Sequence, residues 1–229
     1  MPLPKELRLD IEKGKALRHV AREKHPNLVA AEAAINHVRS ACGILATNRD
    51  ADQARWKIAK PDVDMDEAHE RAQDDVELNT PKKMKKVAFG TEEIVETADK
   101  VKSEAEYAEK HGVGNCEYQA SVAFEYLKRM GIRPLDIVFY APFDQNAKMP
   151  VKRLAQKDIE NVRPDHVFVV IGRPKQAAVS TYTTWGNDAV VCDAWARRAY
   201  FARELGNETE MLGTISAGQT KLLLRLRCE

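Results

Sequence analysis

The chain has 229 residues, 44% hydrophobic and 31% charged, with 36 Lys and Arg against 35 Asp and Glu and a net charge of +1. That length suits one compact domain with an added helical region, and the hydrophobic share supports a core. Charge this evenly balanced carries no general nucleic-acid signal, and no apolar run approaches the ~20 residues of a membrane span.

Met1 to Asp10 holds no apolar signal-peptide core, so the expected residence is the cytoplasm, or export by a route that needs no cleaved signal. The cysteines at 42, 116, 192 and 228 form no C-x-x-C pair and no structural zinc spacing. A reduced protein with no metal and no cofactor is expected.

The sequence divides near residue 90 into a helical region, 1–90, and a mixed region, 91–229. Leu28 to Thr47 places Leu28, Ala31, Ile35, Val38, Cys42 and Leu45 near one face at three- and four-residue steps. This stripe is too apolar to be left in water and is expected to pack on the core. Pro61 interrupts the next charged stretch, and Asp64 to Asp75 reads as a polar, exposed helix. Asn79-Thr80-Pro81 and the Lys82–Lys86 cluster read as a solvated linker. A helix is predicted from Thr91, its N-cap, to about Lys110.

From Gly112 onward the pattern changes. Cys116 to Met130 predicts a helix with Ala120, Ala123, Phe124 and Leu127 toward a core, stopped by Gly131. Strands are predicted at Leu135–Tyr140, His166–Ile171 and Ala189–Cys192, with a turn at Asn161–Pro164. Leu222 to Leu226 is left open between strand and short helix. The fold class is α+β, a helix packed on an antiparallel sheet beside a helical region.

Gly112-Val113-Gly114-Asn115-Cys116 puts a cysteine after a tight turn at a helix start, where unpaired backbone N–H groups stabilise a thiolate. His166 at a strand start is the expected base, and Asp193 at a strand end the carboxylate that orients it. Asp165, on a strand, would point to the opposite face, and Asp188 belongs to a Gly-Asn-Asp turn. His111 reads as a helix C-terminal residue; His19, His25, His37 and His69 read as surface residues. The Cys116 N–H, Asn115 and Gln119 are candidate oxyanion or substrate-positioning donors. Trp185 and Trp195 wall the cleft or sit in the core. Cys192 reads as core, and Cys42 and Cys228 carry no chemical context.

The run Gly114-Asn115-Cys116-Glu117-Tyr118-Gln119-Ala120, continued by Tyr126 to Pro134, resembles the Cys helix of transglutaminase-like proteins. Gly131-Ile132-Arg133-Pro134 departs from their G-I-P ending. Asp165-His166-Val167-Phe168-Val169-Val170 resembles their His strand, and Val191-Cys192-Asp193-Ala194-Trp195 their Asp strand. The resemblance covers about residues 112–196. It implies a papain-like core within 91–229, with Cys116, His166 and Asp193 as the triad of a cysteine protease, peptide amidase or glutamine deamidase. It extends to bacterial effectors that proteolyse or deamidate target-cell proteins. The acidic calcium cluster of the animal transglutaminases is not recognisable.

The expected function is thiol-dependent hydrolysis of peptide or glutamine amide bonds in a protein or peptide substrate, through a thioester. Transamidation and peptidoglycan amide hydrolysis are the enzymatic alternatives. A non-catalytic protein-binding module with an inherited fold is the alternative from another class.

Overall fold

The apolar run His166–Ile171 becomes the central strand of a five-stranded sheet, and the rest of the fold is arranged to cover it. The structure is a computed structural model that describes residues 25–79, 98–142, 166–206 and 220–229. Met1–Asp10, His19, the Lys82–Lys86 cluster, Thr91, the 161–164 turn and Asp165 lie outside the described residues.

The strands are β1 (Leu135–Pro142), β2 (His166–Ile171), β3 (Val190–Asp193), β4 (Arg198–Phe201) and β5 (Thr220–Cys228). They pair antiparallel in the order β4-β3-β2-β1-β5. Every residue of β2 is buried, because both faces of the sheet are covered. Val167, Val169 and Ile171 face one hydrophobic cluster with Leu135, Ile137 and Phe139 of β1. Phe168 and Val170 face a second with Val138, Val191, Leu222 and Leu224. This is the period-two alternation of a strand buried on both sides. Leu222 to Leu226 is strand, paired with β1. The four-residue β4 was not anticipated: it begins on Arg198 and Ala199, which carry no strand signal, and its pairing with β3 forms it.

The helices are α1 (Pro26–Asn36), α2 (Asp50–Ala59), α3 (Met65–Asn79), α4 (Ala98–His111) and α5 (Cys116–Arg129). The stripe Leu28, Ala31, Ile35 and Val38 is buried in the cluster that holds the β2 and β3 side chains. Helices on both sides of residue 90 therefore share one core. The predicted single helix over 28–47 is shorter: α1 passes into a π-helical turn, His37–Ala41, and ends at Gly43, whose φ is +65°. The expected exposed helix is α3, and it buries Met65, Ala68, Ala72 and Val76 at helical spacing. The small alanines hide this stripe in a polar composition. Asp64 caps α3 by accepting from the N–H groups of Asp66 (2.8 Å) and Glu67 (3.1 Å). Gly131, at φ +75°, follows α5 as predicted.

One end of the sheet gathers the chemistry. Antiparallel pairing of β2 with β3 sets the start of β2 beside the end of β3, and α5 packs on the same strand.

Candidate active site

The turn before Cys116 is shaped by two glycines with different tasks. Gly112 holds φ +72°, the left-handed region where a Cβ is strained, and closes α4 through its N–H to the Ala108 carbonyl, 2.9 Å. A Cβ at Gly114 would meet the Tyr118 Cβ at 2.6 Å, so only glycine lets the chain enter α5 this closely. Asn115 is the N-cap, its side-chain oxygen accepting from the N–H groups of Glu117 (3.0 Å) and Tyr118 (3.3 Å). Cys116 follows as the first residue of α5, partly buried.

His166 opens β2 and is 8% exposed. Its Nε2 lies 2.6 Å from Oδ2 of Asp193, which is 1% exposed. The other Asp193 oxygen accepts from the Ala196 N–H at 2.8 Å, so the carboxylate is gripped on both sides. The Cys116 sulfur neighbours the same imidazole and favours its protonated form. With Nε2 facing Asp193, Nδ1 is the ring nitrogen left for sulfur. Burial pulls the His166 pKa down; Asp193, then Cys116, more than reverse this and push it up to about 10. The ring is therefore held toward its protonated form, between a carboxylate and the Cys116 sulfur.

Trp195 stands edge-on to His166, ring centroids 5.3 Å apart at 64°, and covers the imidazole. Its indole N–H donates to Asn48 at 2.8 Å, Arg49 lies over its ring at 5.0 Å, and an Arg49 guanidinium N–H donates to its carbonyl. The buried Asp52 holds Arg197 at 2.5 Å in the same turn, where Arg197 adopts φ 61°. The segment Leu45–Asp52 also reaches the cysteine side. The Leu45 N–H donates to the Gly112 carbonyl (3.1 Å), and the Gly114 N–H donates to the Leu45 carbonyl (3.0 Å). One N-terminal segment thus clamps both the turn before Cys116 and the turn after Asp193. No sequence signal marked this clamp, because its partners lie 67 to 147 residues away.

The structure brings Cys116, His166, Asp193 and Trp195 together; the other candidates sit differently. Asn115 is engaged as a helix cap. Gln119 is fully buried, and its amide nitrogen donates to the Gly114 carbonyl at 2.9 Å, so it braces the turn instead of facing a cleft. Its amide oxygen has no hydrogen-bond partner among the described residues. Trp185 is fully buried in the cluster that holds Phe168 and Val170, with its indole N–H on the Ala178 carbonyl, 2.9 Å; it is a core residue. Cys192 is core, as expected, and burial pushes its thiol well up.

Among the rivals, Asp188 lies 3.3 Å from His25, and His111 lies 2.9 Å from Asp75. His69, expected at the surface, is partly buried edge-on to Tyr118, and burial lowers its pKa. Among the described residues no helix is long and apolar enough to cross a membrane. Compared with known proteins, the chain matches no family model, no curated protein and no solved structure.

Proposed function

We propose that this protein is a cysteine hydrolase with a papain-like, transglutaminase-like core, cleaving or deamidating a protein substrate through Cys116, His166 and Asp193. The observation that carries the reading is the buried His166, held by Asp193 on Nε2 and shared with the Cys116 thiol at a helix N-terminus. A purely structural histidine needs one partner; this one has a carboxylate and a nucleophile on the same ring.

In the reaction the proton shared by Cys116 and His166 sits on the imidazole, and the sulfur, as thiolate, attacks the amide carbonyl carbon. The developing oxyanion is stabilised by the Cys116 N–H, which Asn115 does not cap. Collapse breaks the C–N bond, and the leaving amine or ammonia takes the proton from His166. Water then gives a proton to His166 and its oxygen to the thioester carbon. The carboxylic acid departs and the thiol is restored. Asp193 orients the ring and stabilises the imidazolium throughout. Trp195 keeps water from the Asp193–His166 contact.

The test is incubation of wild type and Cys116→Ala with a host-cell protein extract, followed by peptide mass spectrometry. New termini, or amide-to-acid changes of ~1 Da, that depend on Cys116 support the reading. Modification that persists in Cys116→Ala, or none in either sample, contradicts it.

A further inference from the structure

Away from the proposed active site, His37, Cys42 and Glu109 bring three metal-ligating atoms together. The His37 Nε2 to Cys42 Sγ distance is 3.3 Å, Cys42 Sγ to Glu109 Oε1 is 3.8 Å, and His37 Nε2 to Glu109 Oε1 is 3.7 Å. All the ligand atoms lie within 4.8 Å of one another. The cause is the π-helical turn His37–Ala41, in which the Cys42 N–H bonds back five residues to the His37 carbonyl at 2.9 Å. That turn stacks position 42 over position 37, which an α-helix would not do, and π-turns of this kind gather at functional sites. Tyr126 lies against the His37 ring, centroids 4.4 Å apart at 22°, and fixes its plane.

These distances can be set against a tetrahedral ion. With Zn–S of about 2.3 Å and Zn–N and Zn–O of about 2.0–2.2 Å, the ligand atoms should be separated by about 3.4–3.6 Å. The observed separations of 3.3 to 3.8 Å bracket that range. The geometry points to a divalent transition-metal site, best matched to Zn2+, made by His37, Cys42 and Glu109, with the fourth position open to water. An S/N/O donor set of this kind suits zinc, and excludes calcium and magnesium, which take oxygen ligands.

Arg129 is the group that opposes it: its guanidinium lies 3.5 Å from His37 Nε2 and 3.9 Å from Glu109 Oε1. The Arg129 side chain is 58% exposed and on the surface of α5, so it can turn into solvent when a cation enters. Binding breaks the Cys42 S–H bond, sends the proton to solvent and forms the metal–sulfur bond. The metal would then tie the end of α1 to α4, joining the N-terminal helices to those that support Cys116. This inference does not depend on the proposed hydrolase activity.

The test is titration of the purified full-length chain with Co2+, read by sulfur-to-cobalt charge-transfer absorption. Thermal unfolding with and without Zn2+ is measured alongside. The site predicts one equivalent of thiolate-bound Co2+ in wild type and in Cys116→Ala, no such band in Cys42→Ser, and at least tenfold weaker binding in Glu109→Gln. Zn2+ at a hundredfold excess over Kd should raise the wild-type midpoint by about 5–10 °C and leave Cys42→Ser unmoved. Far-UV circular dichroism establishes that the variants fold, and Glu109, 34% exposed, is the milder change. No band in wild type, a band that survives in Cys42→Ser, or a band lost in Cys116→Ala overturns the proposal.

Discussion

Two buried aspartates sit at opposite ends of the sheet, and they do different things. Asp136, near the start of β1, is met by the buried Arg173 Nε at 2.7 Å and by the partly buried Arg227 Nη1 at 3.0 Å. Asp193, at the end of β3, is met by an imidazole. A guanidinium stays charged at any working pH and offers only donors, so the Asp136 end is a fixed staple between β1, β5 and the segment after β2. An imidazole can lose its proton and has a second nitrogen, and at the Asp193 end that nitrogen faces a thiol. Similar burial and a similar ion pair give a clasp at one end and, in the proposed function, a proton relay at the other. The difference lies in the chemistry of the cation.

Substitutions should separate the two ends sharply. The largest expected effect is on activity: Cys116→Ala or His166→Ala should lower turnover about 10⁴-fold or more while the chain still folds. Asp193→Ala should cost about 10³–10⁴-fold, since the imidazole loses both its orientation and its counter-charge. Both are measured as turnover on the substrate found by mass spectrometry, with circular dichroism to check folding. At the other end, Asp136→Ala should destabilise the protein by about 3–5 kcal/mol by denaturant unfolding, because it leaves the buried Arg173 without its carboxylate, although Arg227 keeps Glu229. Activity per folded molecule should not change. If Asp136→Ala abolished activity in fully folded protein, the two ends would not be independent.

The pH responses should differ in sign and place. His166 is raised from an ordinary 6.5 to about 10 in the folded chain. A raised folded-state value means that the stability it contributes is fully present below about pH 6.5 and is lost as pH rises through about 10. The difference in unfolding midpoint between wild type and His166→Gln should therefore shrink over that interval, as should activity, which needs the imidazolium to protonate the leaving amine. The arginine end should show no such change there. A midpoint difference constant from pH 6 to pH 10 would contradict the assignment.

A smaller effect sharpens the role of the clamp. Asn48→Ala removes the hydrogen bond to Trp195 and should lower activity roughly tenfold or less, with little change in midpoint, as expected for loss of one positioning contact. A chain beginning near Phe89 loses the α1 stripe and the Leu45–Asp52 clamp together. It should aggregate and be inactive; a soluble, active truncation would show that the clamp is dispensable.

The site was legible where chemistry and local structure coincide. Gly112 to Cys116 spells a turn and a helix start in adjacent residues, and His166 and Asp193 interrupt apolar strands at their ends, where a polar residue needs a reason. Trp185 and Gln119 could not be read, because an aromatic or amide side chain has the same local signature in a cleft as in a core. Three features depended on long-range contact and left no local trace: the clamp, the short β4, and the meeting of Cys42 with Glu109. The α3 stripe was hidden for a different reason. Alanine buries well but adds little hydrophobic contrast to a charged helix.

The most direct test of the account is selective alkylation of the full-length chain by substoichiometric iodoacetamide at neutral pH with chelator present, followed by peptide mapping. Burial pushes the Cys42 thiol up to about 11 and the Cys192 thiol higher still, so both should react slowly. The account predicts that label appears first at Cys116, ahead of Cys42, Cys192 and Cys228, and that His166→Ala slows labelling there at least tenfold. Labelling of Cys116 no faster than the other thiols, or unaffected by His166→Ala, would contradict it.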